Sequence, residues 1–319
     1  MKIAVLLAAY NGEKYITEQL ESLERQSFRD FVCYIHDDGS SDRTAALADA
    51  FCSARPDRFV RLDYPSAGGA SENFFSLLAR TDAPYVMFCD QDDSWLPDKL
   101  ALTLSVMEEE ERAHPGVPVL VCTDSTVTAE DGTVLAESFQ RHSGFYREDV
   151  SLPAALFSDN NAQGATIMLN RSLREAVLQC RYPEGFHMYD HWCALVAAAA
   201  GRVRYLDTPT MLYRQHEGQA VGASAGNAAG AVRKAARWFF GGGRQEKLLQ
   251  EEQLLAVIRQ LAALPSLPEK NRRLLEGLLS SAGAPLKQTK AFLDRSCGGL
   301  PEAVRAKQAL LLHLAGRAG

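Results

Sequence analysis

Tyr85-Val86-Met87-Phe88-Cys89-Asp90-Gln91-Asp92-Asp93-Ser94-Trp95 runs from five apolar residues straight into a cluster of three carboxylates. A short, continuous apolar run closed by polar residues reads as a strand buried on both faces. Leu96-Pro97 then opens a helix to about Arg112, since proline suits a first helical turn. Upstream lie a helix over 72–80, a Gly-rich loop from Ser66 to Ser71, and a short strand from Val60 to Tyr64. Before these comes a helix holding Ala45, Leu47, Ala48 and Phe51, with Asp42 suited to cap it. A strand from Phe31 to Ile35 precedes that helix. Residues 13–26 place Tyr15, Ile16, Leu20 and Leu23 at helical spacing, and 3–9 form a first strand closed by Asn11-Gly12. Strand and helix alternate over the first 112 residues, which predicts a mostly parallel sheet with helices on both faces. The polar clusters fall at the carboxyl ends of strands one, two and four, the edge where open α/β sheets bind ligands.

Further on, Val117 to Asp124 reads as a strand and Gly164 to Leu169 as an apolar segment. A helix over 190–200, a strand from Val203 to Leu206 and the polar Tyr213-Arg214-Gln215-His216 follow. Gly218 to Gly230 is rich in Gly, Ala and Ser, as a linker is. Amphipathic helices are predicted over 245–263, 268–281 and 300–316. The expected organisation is an α/β domain over 1–222, a linker or amphipathic segment over 223–244, and a helical C-terminal region over 245–319. The 46% hydrophobic and 23% charged content suits a globular protein. A net charge of -6 argues against nucleic acid as a partner. The seven cysteines are scattered without a CxxC pair, so reduced, buried thiols are expected and a zinc site is not. No stretch approaches the roughly 18 apolar residues of a membrane span, and the expected location is the cytoplasm.

Three carboxylates within four positions repel one another unless water or a cation relieves them. Hard divalent cations take oxygen ligands, and Mg2+ commonly joins one or two carboxylates to substrate phosphates. The same residues would also serve as a solvated turn capping the next helix. Asp37-Asp38-Gly39-Ser40-Ser41-Asp42 has the same two readings. A carboxylate there can accept a hydrogen bond from a nucleotide base, with Gly39 allowing close approach, or the segment is a turn and helix cap. Asp190 suits a helix N-cap as well as a general base.

In order and spacing, Ala8-Ala9-Tyr10-Asn11-Gly12, Asp37 to Asp42 and Asp90 to Trp95 resemble the family 2 glycosyltransferases of the GT-A fold. The similarity continues through Gln163 to Asn170, Met188-Tyr189-Asp190-His191-Trp192 and Tyr213 to His216. The last two resemble a rhamnosyltransferase-like branch that builds bacterial surface polysaccharides. The resemblance implies an inverting transfer of a sugar from a UDP or dTDP donor to a glycan or lipid-linked acceptor, with Mn2+ or Mg2+. It puts Ala8, Tyr10, Asp38 and Asn73 at the nucleotide and Asp90 at ribose and metal. Asp92 or Asp93, the cluster having one acid more than the motif, becomes a metal ligand with His216, Asp190 the catalytic base, and Arg214 part of a segment closing over the diphosphate. The commoner motif of that branch is His-Asp-Trp-Trp, against Tyr189-Asp190-His191-Trp192 here, so the sugars served are expected to differ.

A sugar nucleotidyltransferase and a non-catalytic nucleotide-sugar binding module remain the alternatives. The first strand lacks the glycine-dense phosphate loop of the former, and no GxGxxG marks a dehydrogenase. Arg233 to Phe240 mixes basic and aromatic residues, which suits either a packed helix end or peripheral contact with an anionic membrane. The tail helices are candidates for dimerisation or acceptor binding.

Overall fold

The computed structural model describes residues 1–143, 151–157, 162–180, 182–183, 186, 188–216 and 244–315. Of the expected linker or amphipathic segment over 223–244, residues 223–243 lie outside them, as does the basic-aromatic segment at 233–240.

Strand β1 (Ile3–Ala9) lies at the centre of the parallel half, flanked by β2 (Phe31–Asp37) and β4 (Tyr85–Asp90), with β3 (Phe59–Arg61) beyond β2. Helices α1 (Ile16–Glu24), α2 (Thr44–Ala54) and α3 (Ala70–Leu78) make the crossovers that parallel neighbours require. The N-cap of α2 is Arg43 rather than the expected Asp42, which lies one residue earlier and accepts the Thr44 amide at Oδ1, 2.9 Å away. The β3 strand is shorter than Val60 to Tyr64, because the Tyr64 carbonyl instead receives the His36 ring, with His36 Nε2 3.0 Å away.

The second half departs from simple alternation. Strand β5 (Ser94–Trp95) is only two residues long, followed by α4 (Lys99–Ala113), β6 (Val119–Thr128) and the hairpin strand β7 (Val134–Ala136). After α5 (Phe139–Ser143) and α6 (Leu152–Phe157), β8 (Ile167–Asn170) inserts antiparallel between β4 and β6. Helices α7 (Arg171–Gln179) and α8 (Tyr189–Ala200) follow, then β9 (Arg202–Arg214) runs parallel to β6 and carries β5 on its other edge. Among the described residues the nine strands form one sheet, ordered β3-β2-β1-β4-β8-β6-β9-β5, with β7 on β6.

Side chains alternate across a strand, and here each face feeds its own core. Ala4 and Leu6 enter a cluster with α3, α7 and α8, while Ile3, Val5 and Leu7 enter one with α1, α2 and α4. The seven cysteines are free and buried, as expected. Among the described residues no helix is long and apolar enough to cross a membrane.

Helices α9 (Arg244–Ala262), α10 (Glu269–Ser280), α11 (Leu286–Ser296) and α12 (Glu302–Ala315) pack on the α8 side; α11 was not expected from sequence. Eleven of the twelve α8 residues are buried, and Leu255, Ile258, Leu261 and Leu275 share their cluster. The contact is also polar. Asn271 Nδ2 donates to the carbonyls of Ala198 (3.1 Å) and Ala199 (2.8 Å), satisfying orphan acceptors of the last α8 turn. Asn271→Ala should lower unfolding free energy by about 1–2 kcal/mol. A urea titration that leaves the midpoint unchanged would show these bonds to be replaced by water without cost.

Candidate active site

The site forms where β1, β2 and β4 end. Tyr10 is 58% exposed just past β1, and Ala8 pairs with His36 on one side and Asp90 on the other. The chain then turns sharply, with Asn11 at φ 47°, a conformation uncommon outside glycine. Neighbouring loops hold it there. The Asn11 amide donates to Ser40 Oγ (2.8 Å), Ser41 N donates to Asn11 Oδ1 (2.9 Å), and Gly12 N donates to Thr44 Oγ1 (2.7 Å).

Asp38 lies at the mouth of the same cleft, half-buried. Its carboxylate accepts from Ser66 Oγ and Gly69 N, each at 2.9 Å, and so gathers in the Gly-rich loop. Asn73, expected beside the nucleotide, is 1% exposed and lies behind that wall. It pairs with His36 Nδ1 at 2.7 Å, and the His36 ring stacks on Tyr64 at 3.5 Å. Its structural place is that of a strut beneath Asp38.

The acidic cluster separates into an open and a closed part. Asp92 keeps 17% of its side chain exposed and meets His216 Nε2 at 2.8 Å, and the His216 ring lies 4.6 Å from that of Tyr15. Asp93 is 1% exposed and points inward. Its Oδ1 receives the Arg214 amide at a long 3.4 Å, and among the described residues its Oδ2 has no hydrogen-bond partner. Beneath it is Lys99, also 1% exposed, which donates to Thr210 Oγ1 at 2.9 Å. Burial pushes the Asp93 carboxyl well above its ordinary range and lowers Lys99 to about 7, while each charge partly offsets the burial of the other.

Arg214 occupies a place that sequence reasoning did not foresee. Its guanidinium donates to the Asp92 carbonyl (3.0 Å), the Glu130 carbonyl (2.8 Å) and the Glu18 carboxylate (2.6 Å). These contacts turn the group into the protein, where it fixes the backbone of the acidic turn. Glu18, Glu130 and Lys99 carry no motif signal, because their partners are distant in sequence.

Asp190 sits in the first turn of α8, 6% exposed, with Oδ1 accepting the His191 amide at 2.6 Å. It is therefore within the helix rather than its N-cap, which is Met188. Burial raises Asp90 to about 8, with the charges of Asp92 and Asp190 adding to it. The carboxyls at the end of β4 and the start of α8 are thus near enough to repel one another. Tyr189 packs on Phe74 at 4.2 Å and Phe88 at 4.9 Å. Its hydroxyl lies only 2.0 Å from where a Cβ on Gly164 would stand, which is why that motif position is glycine.

These residues suit a divalent cation. Asp90 and Asp92 are crowded carboxyls, so crowded that Asp90 keeps its proton to about pH 8, and His216 supplies a nitrogen beside Asp92. Among the described residues no three acidic, histidine or cysteine side chains close a cage unaided, so a ligand would have to complete the shell.

The raised Asp90 pKa has a measurable consequence. Unfolded aspartate titrates near about 3.9, so between there and about 8 the native state holds a proton that the unfolded chain has lost. Stability contributed by that proton is present below the lower value and is lost as pH rises through the upper one. Without added metal, the urea midpoint should fall from pH 5 to pH 8, with a slope of at most about 1.4 kcal/mol per pH unit. Asp90→Asn should flatten the slope; an unchanged slope would place the titration on another group.

Residues 4–160 match the model of glycosyl transferase family 2. The dTDP-rhamnosyl transferase RfbG of Shigella flexneri is 28% identical over 240 residues, 68% of this chain and 74% of that protein. The structure of Staphylococcus aureus TarS 1–349 in complex with UDP-GlcNAc superposes with a TM-score of 0.57 at 17% identity, covering 100% of this chain and 91% of that one. The mannosyltransferase PcManGT of Pyrobaculum calidifontis, in complex with GDP-Man and Mn2+, superposes at 0.53 with 15% identity, covering 98% and 87%. The two structural likenesses speak for a shared fold. The sequence comparisons relate the chain to glycosyl transferase family 2, whose model spans residues 4–160.

Proposed function

We propose that this protein transfers a sugar, with inversion, from a nucleoside-diphosphate donor to a hydroxyl of a glycan or lipid-linked acceptor in surface polysaccharide synthesis. The observation that carries this reading is the electrostatic proximity of Asp190 on α8 to Asp90 at the end of β4, two residues from the Asp92–His216 pair. A dTDP-rhamnosyl donor is favoured by the similarity to the Shigella protein.

Tyr10 offers an exposed ring to the base, and Asp38 accepts from it once the Gly-rich loop yields its amides. Asp90, Asp92 and His216 would meet Mn2+ or Mg2+ only together with phosphate oxygens of the donor, and the ion would supply charge neutralisation of the departing diphosphate. Asp93 is assigned inward, as the buried partner of Lys99 and the Arg214 amide, so the outward carboxylate is Asp92. Arg214 positions that turn through its backbone carbonyl and does not itself reach the diphosphate. The His191 amide fixes the plane of the Asp190 carboxylate, which takes the proton of the attacking hydroxyl. Attack from the face opposite the leaving group inverts the anomeric centre.

Turnover should release a nucleoside diphosphate; release of pyrophosphate would instead identify a nucleotidyltransferase. Asp190→Asn should reduce kcat by roughly 100-fold or more with donor affinity little changed. Asp92→Asn should abolish the added thermal stabilisation that Mn2+ gives with UDP or dTDP. Full turnover by the Asp190 variant would remove it as base.

A further inference from the structure

The β1–β4 ladder ends at the pair Ala8 and Asp90, after which both chains turn away to form the site. One contact continues the pairing. The Gln91 side-chain carbonyl accepts the Tyr10 amide at 2.9 Å, and its side-chain NH2 donates to the Tyr10 carbonyl at 2.7 Å. The primary amide of Gln91 therefore bonds Tyr10 at both backbone groups, as a neighbouring strand would. No shorter or apolar side chain can do this, because both a donor and an acceptor are needed at that reach.

Gly12 is built around the same contact. A Cβ there would stand 2.1 Å from Gln91 Oε1 and 2.3 Å from its Cδ, so the glycine makes room for the amide. Asn11 between them holds an unfavourable φ of 47°. The turn carrying the exposed Tyr10 ring is thus held from one side by Ser40 and Thr44, and from the other by Gln91. Gln91 itself stands between Asp90 and Asp92, the residues read above as facing the cation.

We infer that Gln91 is a positioning residue that ties the cation-binding turn to the base-binding turn, so that occupancy of one tightens the other. The inference rests on the proposed roles of Tyr10, Asp90 and Asp92. Reciprocal coupling between two ligand sites requires an element whose position both ligands bias, and the paired amide bonds supply it.

The test is calorimetric titration of UDP and dTDP into the full chain, with and without Mn2+, for wild type, Gln91→Met, Tyr10→Ala and the double variant. Methionine keeps the length and packing of the side chain but loses both bonds. Gln91→Met should weaken Mn2+-supported nucleotide binding by about tenfold and shrink the ratio of affinities with and without Mn2+. In the Tyr10→Ala background it should add no more than about twofold, because its effect runs through that ring. Gly12→Ala, which displaces the amide with Gln91 intact, should reproduce the defect, and the Gly12→Ala/Gln91→Ala pair should be no worse than Gln91→Ala alone. Unchanged affinity and ratio in Gln91→Met, or effects of Gln91 and Tyr10 that simply multiply, would overturn the coupling while leaving the nucleotide site standing. Failure of the wild type to bind either nucleotide with Mn2+ would overturn the site reading, and the coupling with it.

Discussion

Repulsion among Asp90, Asp92, Asp93 and Asp190 is the constraint to which this end of the molecule answers. Carboxylates this close in a partly dehydrated pocket cannot all ionise cheaply. The fold relieves the repulsion unevenly. Asp93 has a cation beneath it in Lys99, and Asp92 has His216 at its side, whereas Asp90 is pushed up to about 8 by burial and by its neighbours. What remains is a group of carboxyls held close together, of which Asp90 keeps its proton near neutral pH and would give it up once a cation relieved the crowding.

Arg214 and Lys99 act on that pocket from behind. Both are long, buried cations that could be read as substrate-binding groups, and both are committed to protein partners. Their work is to keep the acidic turn from spreading. Strand β9 makes this possible, since it brings Thr210 and Arg214 to the back of a turn that lies far earlier in the chain. The two-residue strand β5, paired with Leu212 and Met211, is the hinge of that arrangement.

The parallel half of the fold was legible in the sequence because its signals are local. Buried strands of β1 and β4 are continuous apolar runs, their turns are polar, and the helices between them repeat at helical spacing. The carboxyl-edge placement of Tyr10, Asp38 and Asp90 followed directly. The antiparallel insertion of β8, the full length of β9 and the pairing of β5 were not legible, because each depends on a partner chosen by the tertiary fold. The same limit applies to side chains. The family resemblance alone placed Asn73 and Arg214 against ligand, whereas their hydrogen bonds reach His36 and Glu18 and Glu130. Gln91 stood in plain view inside the acidic motif, yet its role depends on a turn 81 positions away in the chain.

The alanine-rich helix α8 has an evolutionary implication. Its small side chains let the C-terminal helices come close, and Asn271 closes its carbonyl end. The helix that carries Asp190 is therefore walled on one side by the C-terminal helices, and both lie beyond the family-matched span of residues 4–160. Recombination that exchanged those helices for unrelated ones would strip the cover from an apolar helix inside the catalytic body. Divergence here is consequently channelled: the inward face of the C-terminal region is held to its partner helix, and new specificity has to be written on its outward face.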